Sequence, residues 1–318
     1  MKGIINIGAF KSQPIVQQDL KRLRLRSTPF CISVLFYILG VIYLILVSYY
    51  GYTLQNIQEY TKRYDEECSN KSSCIVNITI EENMKGPIAL YYKLTNFYQL
   101  HRTIANSYSA QQLRGQNATD EQLQKCQPRT FINYTEHMAN IYVPCGLLPA
   151  AVFNDTISLL NYSSFDESDI TLSIDSSDLY LAPNDTYANS SKWLRDSGLF
   201  PQGIQDQHFI VWMRQSAFAP FRKLYAVSKS DLPKGTYAVL IQNNYPTTFF
   251  GGQKYFIISQ IGMFGTVKIG PTVVFAVLAF FFYVASAIEG YIGWRRTKPS
   301  SNFHPDRLKT MFVDTSAN

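Results

Sequence analysis

The chain of 318 residues lacks the short signatures of the commoner catalytic sites. It has no G-x-S-x-G, no H-E-x-x-H, no G-x-x-x-x-G-K-[ST] and no G-x-G-x-x-G. Nucleophile-elbow hydrolases, zincins, P-loop NTPases and dinucleotide-binding folds lose their usual sequence basis. Histidine is scarce at four residues, and His101, His137 and His208 are too scattered to suggest a triad or a metal site. Cys-x-x-Cys is absent too. Carboxylate pairs such as Glu66-Glu67, Glu81-Glu82 and Asp166-Glu167 are sequence neighbours whose side chains diverge, which suits solvated surface better than paired acid–base work. No catalytic residue, metal, cofactor or nucleic acid partner is expected.

Charge is also missing from two long stretches. None occurs from Ser27 to Gln58, and the apolar run Phe30 to Tyr52 is long enough to cross a bilayer as a helix. Ile269 to Ile288, between Lys268 and Glu289, is a second such run. The first begins too late and runs too long for a cleaved signal peptide, so it reads as an uncleaved signal anchor.

The net charge of +6 is concentrated in the flanks. Lys2, Lys11, Lys21, Arg22, Arg24 and Arg26 oppose only Asp19 before the first run; Arg295, Arg296, Lys298, Arg307 and Lys309 oppose Asp306 and Asp314 after the second. The positive-inside rule therefore puts both termini in the cytoplasm and the middle of the chain in the lumen or outside the cell. The expected layout is a cytoplasmic tail 1–29, a first span 30–52, a lumenal domain 53–268, a second span 269–291 and a cytoplasmic tail 292–318. Tyr49, Tyr50, Tyr52, Tyr291 and Trp294 fit interfacial belts, Glu289 snorkels from the second span, and the Lys21–Arg26 run suits anionic lipid or a topology anchor.

Eight Asn-x-Ser/Thr sites fall in the middle segment and none in either tail: Asn70, Asn77, Asn117, Asn133, Asn154, Asn161, Asn184 and Asn189. Four of the five cysteines lie there as well, an even number in an oxidising compartment, while Cys31 is alone in the first span. Of the three possible pairings, sequence proximity favours Cys68 with Cys74 and Cys126 with Cys145.

Alternation predicts strands at Ile75–Ile80, Ile170–Ile174 and Gly235–Gln242, and continuous apolar runs predict two more at Phe209–Met213 and Tyr255–Ile261. Turn residues at 232–235, 243–246 and 251–252 separate the later ones. Helical spacing is kept by Leu94, Phe97, Tyr98, His101, Ile104, Ala105 and Tyr108, and the polar stretch 161–191 reads as surface loop. The fold class is a membrane protein with two transmembrane helices flanking an antiparallel, sandwich-like β-rich domain bonded by disulfides.

Three ordered blocks are more specific: LTNFYQLHR (Leu94–Arg102), VPCGLLPAAVFNDT (Val143–Thr156) and FIVWMRQSAFAPFRKLY (Phe209–Tyr225). MKGPIALYY (Met84–Tyr92) and the NNYP turn (Asn243–Pro246) accompany them. With these the chain resembles the cell-division-control protein 50 / ligand-effect modulator family, the β-subunits of type-IV P-type ATPases, the phospholipid flippases. The family's amino-terminal F-x-Q-Q-x-L pattern appears only loosely, as Phe10, Gln17, Gln18 and Leu20.

The resemblance implies a heterodimer with the ATPase α-subunit in phospholipid membranes, with the catalytic aspartate on the pump. This chain lacks the Asp-Lys-Thr-Gly phosphorylation motif. It further implies a role in folding, endoplasmic-reticulum exit and transport by that partner, in the endoplasmic reticulum, Golgi, endosome or plasma membrane, and the same two disulfides. Partner contacts are expected at Lys21, Arg22, Arg24 and Arg26 on the cytoplasmic tail. In the third block they are expected at Trp212, Arg214, Phe218, Phe221, Arg222 and Tyr225, large anchors and cations that suit an interface. A two-span ligand-gated or acid-sensing channel subunit competes, but such channels carry many more extracellular cysteines than the four here. A glycosylated receptor is a third reading.

Overall fold

The computed structural model describes residues 28–131, 141–183, 192–196, 200–266 and 269–297, and the chain divides into two units. One holds the two long helices; the other is the domain Tyr52–Lys268. Lys21, Arg22, Arg24, Arg26, Asn133, Asn184, Asn189 and His137 lie outside the described residues.

The first long helix runs Pro29–Gln55 and the second Gly270–Thr297, three and six residues past the expected span ends. At 1.5 Å per residue each is about 40 Å long, so the extra turns reach beyond a hydrocarbon layer of about 30 Å. Arg295 continues the second helix there, donating from Nε to the Tyr291 hydroxyl at 2.9 Å. The two helices pair antiparallel. Ser33 Oγ donates to the Ser286 carbonyl at 2.8 Å and Ser286 Oγ to that of Ser33 at 2.9 Å. Gly40 faces Tyr283, where an added Cβ would come within 3.2 Å of the ring. Tyr43 stacks on Phe282 with centroids 5.5 Å apart. Small residues and reciprocal hydroxyl bonds are the means by which helices associate where burying apolar surface brings no gain. The outward apolar side chains, Leu35, Ile45, Val277 and Phe280 among them, are exposed as a lipid-facing surface requires.

The domain is built from two antiparallel sheets. Strands β1 (Glu59–Arg63), β2 (Ser73–Ile80), β3 (Ile88–Leu94), β4 (Thr156–Leu159), β5 (Phe221–Ser228), β6 (Gly235–Gln242) and β7 (Lys254–Gln260) form one sheet in the order β1-β7-β3-β5 and another in the order β2-β6-β4. Strict alternation in β2 buries Cys74, Val76, Ile78 and Ile80 and turns Asn77 outward. Tyr237, Val239 and Ile241 are buried on one face of β6 as expected. These side chains join Leu90, Tyr92, Leu94, Tyr225, Phe256 and Ile258 of the other sheet in one hydrophobic cluster. Across it, the Ile157 backbone N–H donates to the Tyr225 hydroxyl at 3.1 Å. Cys68–Cys74 and Cys126–Cys145 are bonded, with Cα atoms 5.4 and 5.5 Å apart, and Cys31 is free.

Three sequence expectations are corrected. Phe209–Met213 is helical, within Gln207–Met213, because Asp206 caps it by accepting from the His208 N–H at 3.0 Å. All five side chains are buried, and a run hidden all round carries no period that separates helix from strand. Leu94–Tyr108 is not one helix: Leu94 ends β3, Asn96 turns the chain at φ 58°, and only Arg102–Ala105 is helical thereafter. Ile170–Ile174 is not a strand and leads into a π-helical turn, Asp175–Leu179, that carries Asp175 inward to Arg214. That buried carboxylate also qualifies the surface reading of 161–191.

Candidate partner-binding surface

Two features at one end of the four-stranded sheet are built from the sequence blocks. The first is a buried polar knot. Lys254 opens β7 and is 2% exposed, and its Nζ donates to Asp155 Oδ2 at 2.6 Å, to the Tyr245 carbonyl at 2.7 Å and to Asn243 Oδ1. Asp155 also accepts from the Tyr64 hydroxyl at 2.8 Å and from the N–H groups of Asn244 and Tyr245 at 2.6 Å each. Asn243 Nδ2 in turn donates to the Cys68 and Lys71 carbonyls at 3.0 and 3.1 Å. Burial, with Asp155 adding, raises the Tyr64 hydroxyl well above the usual tyrosine range, so it stays a donor. A charge pair out of water is tolerated only when its remaining hydrogen-bond capacity is met, as here. The NNYP turn and the Asn154-Asp155-Thr156 segment are thus structural necessities for each other.

The second feature is an apolar corner where three segments converge. Asn96 Nδ2 donates to the Gly251 carbonyl at 3.0 Å, Gln99 Nε2 to the Trp212 carbonyl at 3.1 Å, and the Ser216 N–H to Gln99 Oε1 at 2.8 Å. Phe97 packs beneath, with ring centroids 5.5 Å from Trp212 and 5.4 Å from Phe250. Gly252 is required here, since a Cβ would lie 2.1 Å from the Phe250 ring and 2.7 Å from the Thr95 carbonyl oxygen. Left on the surface are Tyr98, Leu100, Phe218 and Phe249, exposed by 60, 50, 82 and 88%. Large apolar side chains left in water on an otherwise polar domain make this corner the candidate partner-binding surface.

The third-block residues divide accordingly. Trp212, Phe221 and Tyr225 are corrected to core: each is at most 6% exposed, and Trp212 Nε1 donates to the Leu148 carbonyl at 2.9 Å. They have no surface to offer a partner. Phe218 does. The cations are engaged within the chain, Arg214 with Asp175 and Arg222 with Glu59 at 2.7 Å and with Thr266 Oγ1 at 3.0 Å. Arg222 also lies over the Tyr91 ring, 5.1 Å from its centroid. Burial, with Arg214 nearby, lowers the Lys223 ammonium to about 8, and its Nζ donates to the Arg214 carbonyl. Asn70, Asn77, Asn117 and Asn161 are exposed, and Asn154 is half-buried. Among the described residues no group of histidines, cysteines and carboxylates could hold a metal.

Sequence reasoning missed the exposure of Phe249, Tyr98 and Leu100, and missed the buried pair Asp155 and Lys254 altogether. The available signal was a lysine inside an apolar run following an Asn-rich turn, and a Phe-Phe pair before Gly-Gly, where only one ring can face inward.

These features define a membrane protein with two transmembrane helices and a disulfide-stapled antiparallel β domain between them. The chain belongs to the LEM3 (ligand-effect modulator 3) family / CDC50 family, whose model matches residues 35–297. It is 29% identical to "ALA-interacting subunit 3" of Arabidopsis thaliana over 289 residues, covering 80% of this chain and 78% of that one. It is 32% identical to "Cell cycle control protein 50C" of Mus musculus over 239 residues, 66% of each chain. It is 28% identical to "Phospholipid-transporting ATPase accessory subunit CDC50" of Chaetomium thermophilum over 233 residues, 66% of this chain and 57% of that one.

Proposed function

We propose that the chain is the non-catalytic accessory β-subunit of a phospholipid-translocating ATPase of the type-IV P-type class, bound to it as a heterodimer. The observation that carries this reading is a family match running through both spans and the domain between them, 35–297. Both termini lie in the cytoplasm, and the domain faces the lumen or the exterior with glycans on exposed sequons. The charge asymmetry of the flanks and the two disulfides support that orientation. The apolar corner is a contact for the pump's extracytoplasmic loops, with Phe218 and Phe249 as its anchors. The basic tail carrying Lys21, Arg22, Arg24 and Arg26 meets the pump's cytoplasmic face or anionic lipid.

Such a subunit acts by covering and being covered. Without the pump its corner stays open and the chain is held in the endoplasmic reticulum, and without the chain the pump fails to mature. Depleting the partner ATPase should leave this chain with glycans sensitive to endoglycosidase H. Mature glycans and normal onward delivery under depletion would refute the proposal.

A further inference from the structure

At the opposite end of the same sheet lies a different exposed apolar pair. Gly262 and Gly265 exchange two N–H···O bonds of 2.9 Å, closing a tight turn whose tip is Met263 and Phe264. These are 81% and 47% exposed, and no charged residue occurs between Lys254 and Lys268. The turn follows β7, which runs from Lys254 to Gln260. Beside β7, β1 starts at the end where β7 finishes: Glu59 pairs with Ser259, and the Gln260 N–H donates to the Gln58 carbonyl at 3.0 Å. The end of β7 therefore lies beside the segment that joins the first helix to β1.

The turn also rests on that connection, because a Cβ on Gly262 would lie 2.8 Å from Ile57 Cδ1. Ile57 is only two residues beyond Gln55, where the first helix ends. At about 3.5 Å per extended residue the turn's base is held within roughly 7 Å of chain from the end of a membrane helix. Four residues separate Gly265 from Gly270, where the second helix begins, and the five Cα–Cα steps between them are a further leash of at most about 18 Å. Polar headgroups extend roughly 5–8 Å beyond the hydrocarbon on each side.

We propose that the Met263–Phe264 turn is a lipid-contacting tip that enters the headgroup layer of the bilayer crossed by the two helices. Membrane contact removes apolar surface from water, the two Gly262–Gly265 bonds satisfy the backbone at the base of the turn, and the tip itself carries no charge to desolvate. The tip is a third point of contact with the membrane besides the spans.

The test uses the full chain with Cys31→Ser and Met263→Cys, carrying a bimane probe and reconstituted in phosphatidylcholine vesicles. Phe264→Cys provides a second probe if the first is poorly recovered, and Phe249→Cys at the far end of the sheet is the reference. Brominated phosphatidylcholine should quench the 263 or 264 probe at least threefold more than the 249 probe, with aqueous iodide showing the reverse order. Equal iodide access at both ends would overturn the proposal. So would protection from iodide without quenching by brominated lipid, since that pattern means a protein surface covers the turn.

Discussion

At the Lys254 end of the four-stranded sheet, Asp155 and Lys254 are sealed from water inside a network of hydrogen bonds, whereas at the adjoining corner Phe218 and Phe249 stand 82% and 88% exposed. The usual expectation is inverted: charges are inside and phenyl rings outside. Both regions come from the same recognisable blocks and their neighbours, so a block's presence does not say whether a residue holds the domain together or faces another molecule. Burial does. Where a polar group is hidden and fully bonded, its loss should unfold the domain; where an apolar ring is bare, its loss should leave the domain intact and weaken association.

The largest expected effect is at the knot. Asp155→Asn leaves Lys254 buried without a countercharge and should cost about 3–5 kcal/mol, as single losses from buried pairs do, read as a fall in the unfolding midpoint of the purified chain. Unchanged thermal stability would break the comparison at its stronger side. Next come the disulfides. Cys126→Ser or Cys145→Ser opens a loop of sequence separation 19 and Cys68→Ser one of 6, so the chain-entropy account gives losses of about 3 and 2 kcal/mol. Pump recovery should fall more for the first two, and equal recovery from all three mutants would count against that order.

At the corner, Phe218→Asp with Phe249→Asp should move stability by no more than about 0.5 kcal/mol. The same double variant should lower the yield of co-purified ATPase about tenfold, the loss expected from removing interfacial anchors. A comparable drop in unfolding midpoint would mean the rings are structural after all. The smallest effect concerns Lys223, whose ammonium is lowered to about 8 in the folded chain against about 10.4 for a free lysine. Between those values the unfolded state binds more protons, so this residue makes stability rise with pH from about 8 to 10.4. Lys223→Met should flatten that rise in pH-dependent unfolding, and an unaltered slope would show that the amine is not held in the unfavourable environment.

Much of the layout was legible beforehand because it rests on strong periodic signals. Twenty or more residues without charge have few fates other than a membrane span, and β2 and β6 alternate so strictly that their inward faces follow directly. What escaped depends on contacts between distant segments. Phe209–Met213 has the composition of a strand and became helical through a cap at Asp206 and burial on every side. The fate of Lys254 is set by Asp155, 99 residues away. Phe249 and Phe250 look alike in sequence, and the approach of the Phe97 and Tyr245 rings to Phe250 decides which one is left outside.

The most direct test of the account is affinity purification of the full chain from its native membranes, with identification of what accompanies it. A stoichiometric type-IV P-type ATPase, depleted by Phe218→Asp with Phe249→Asp while the variant itself stays folded, is the predicted result. Recovery of the chain as a homo-oligomer that conducts ions, with no ATPase present, would contradict it.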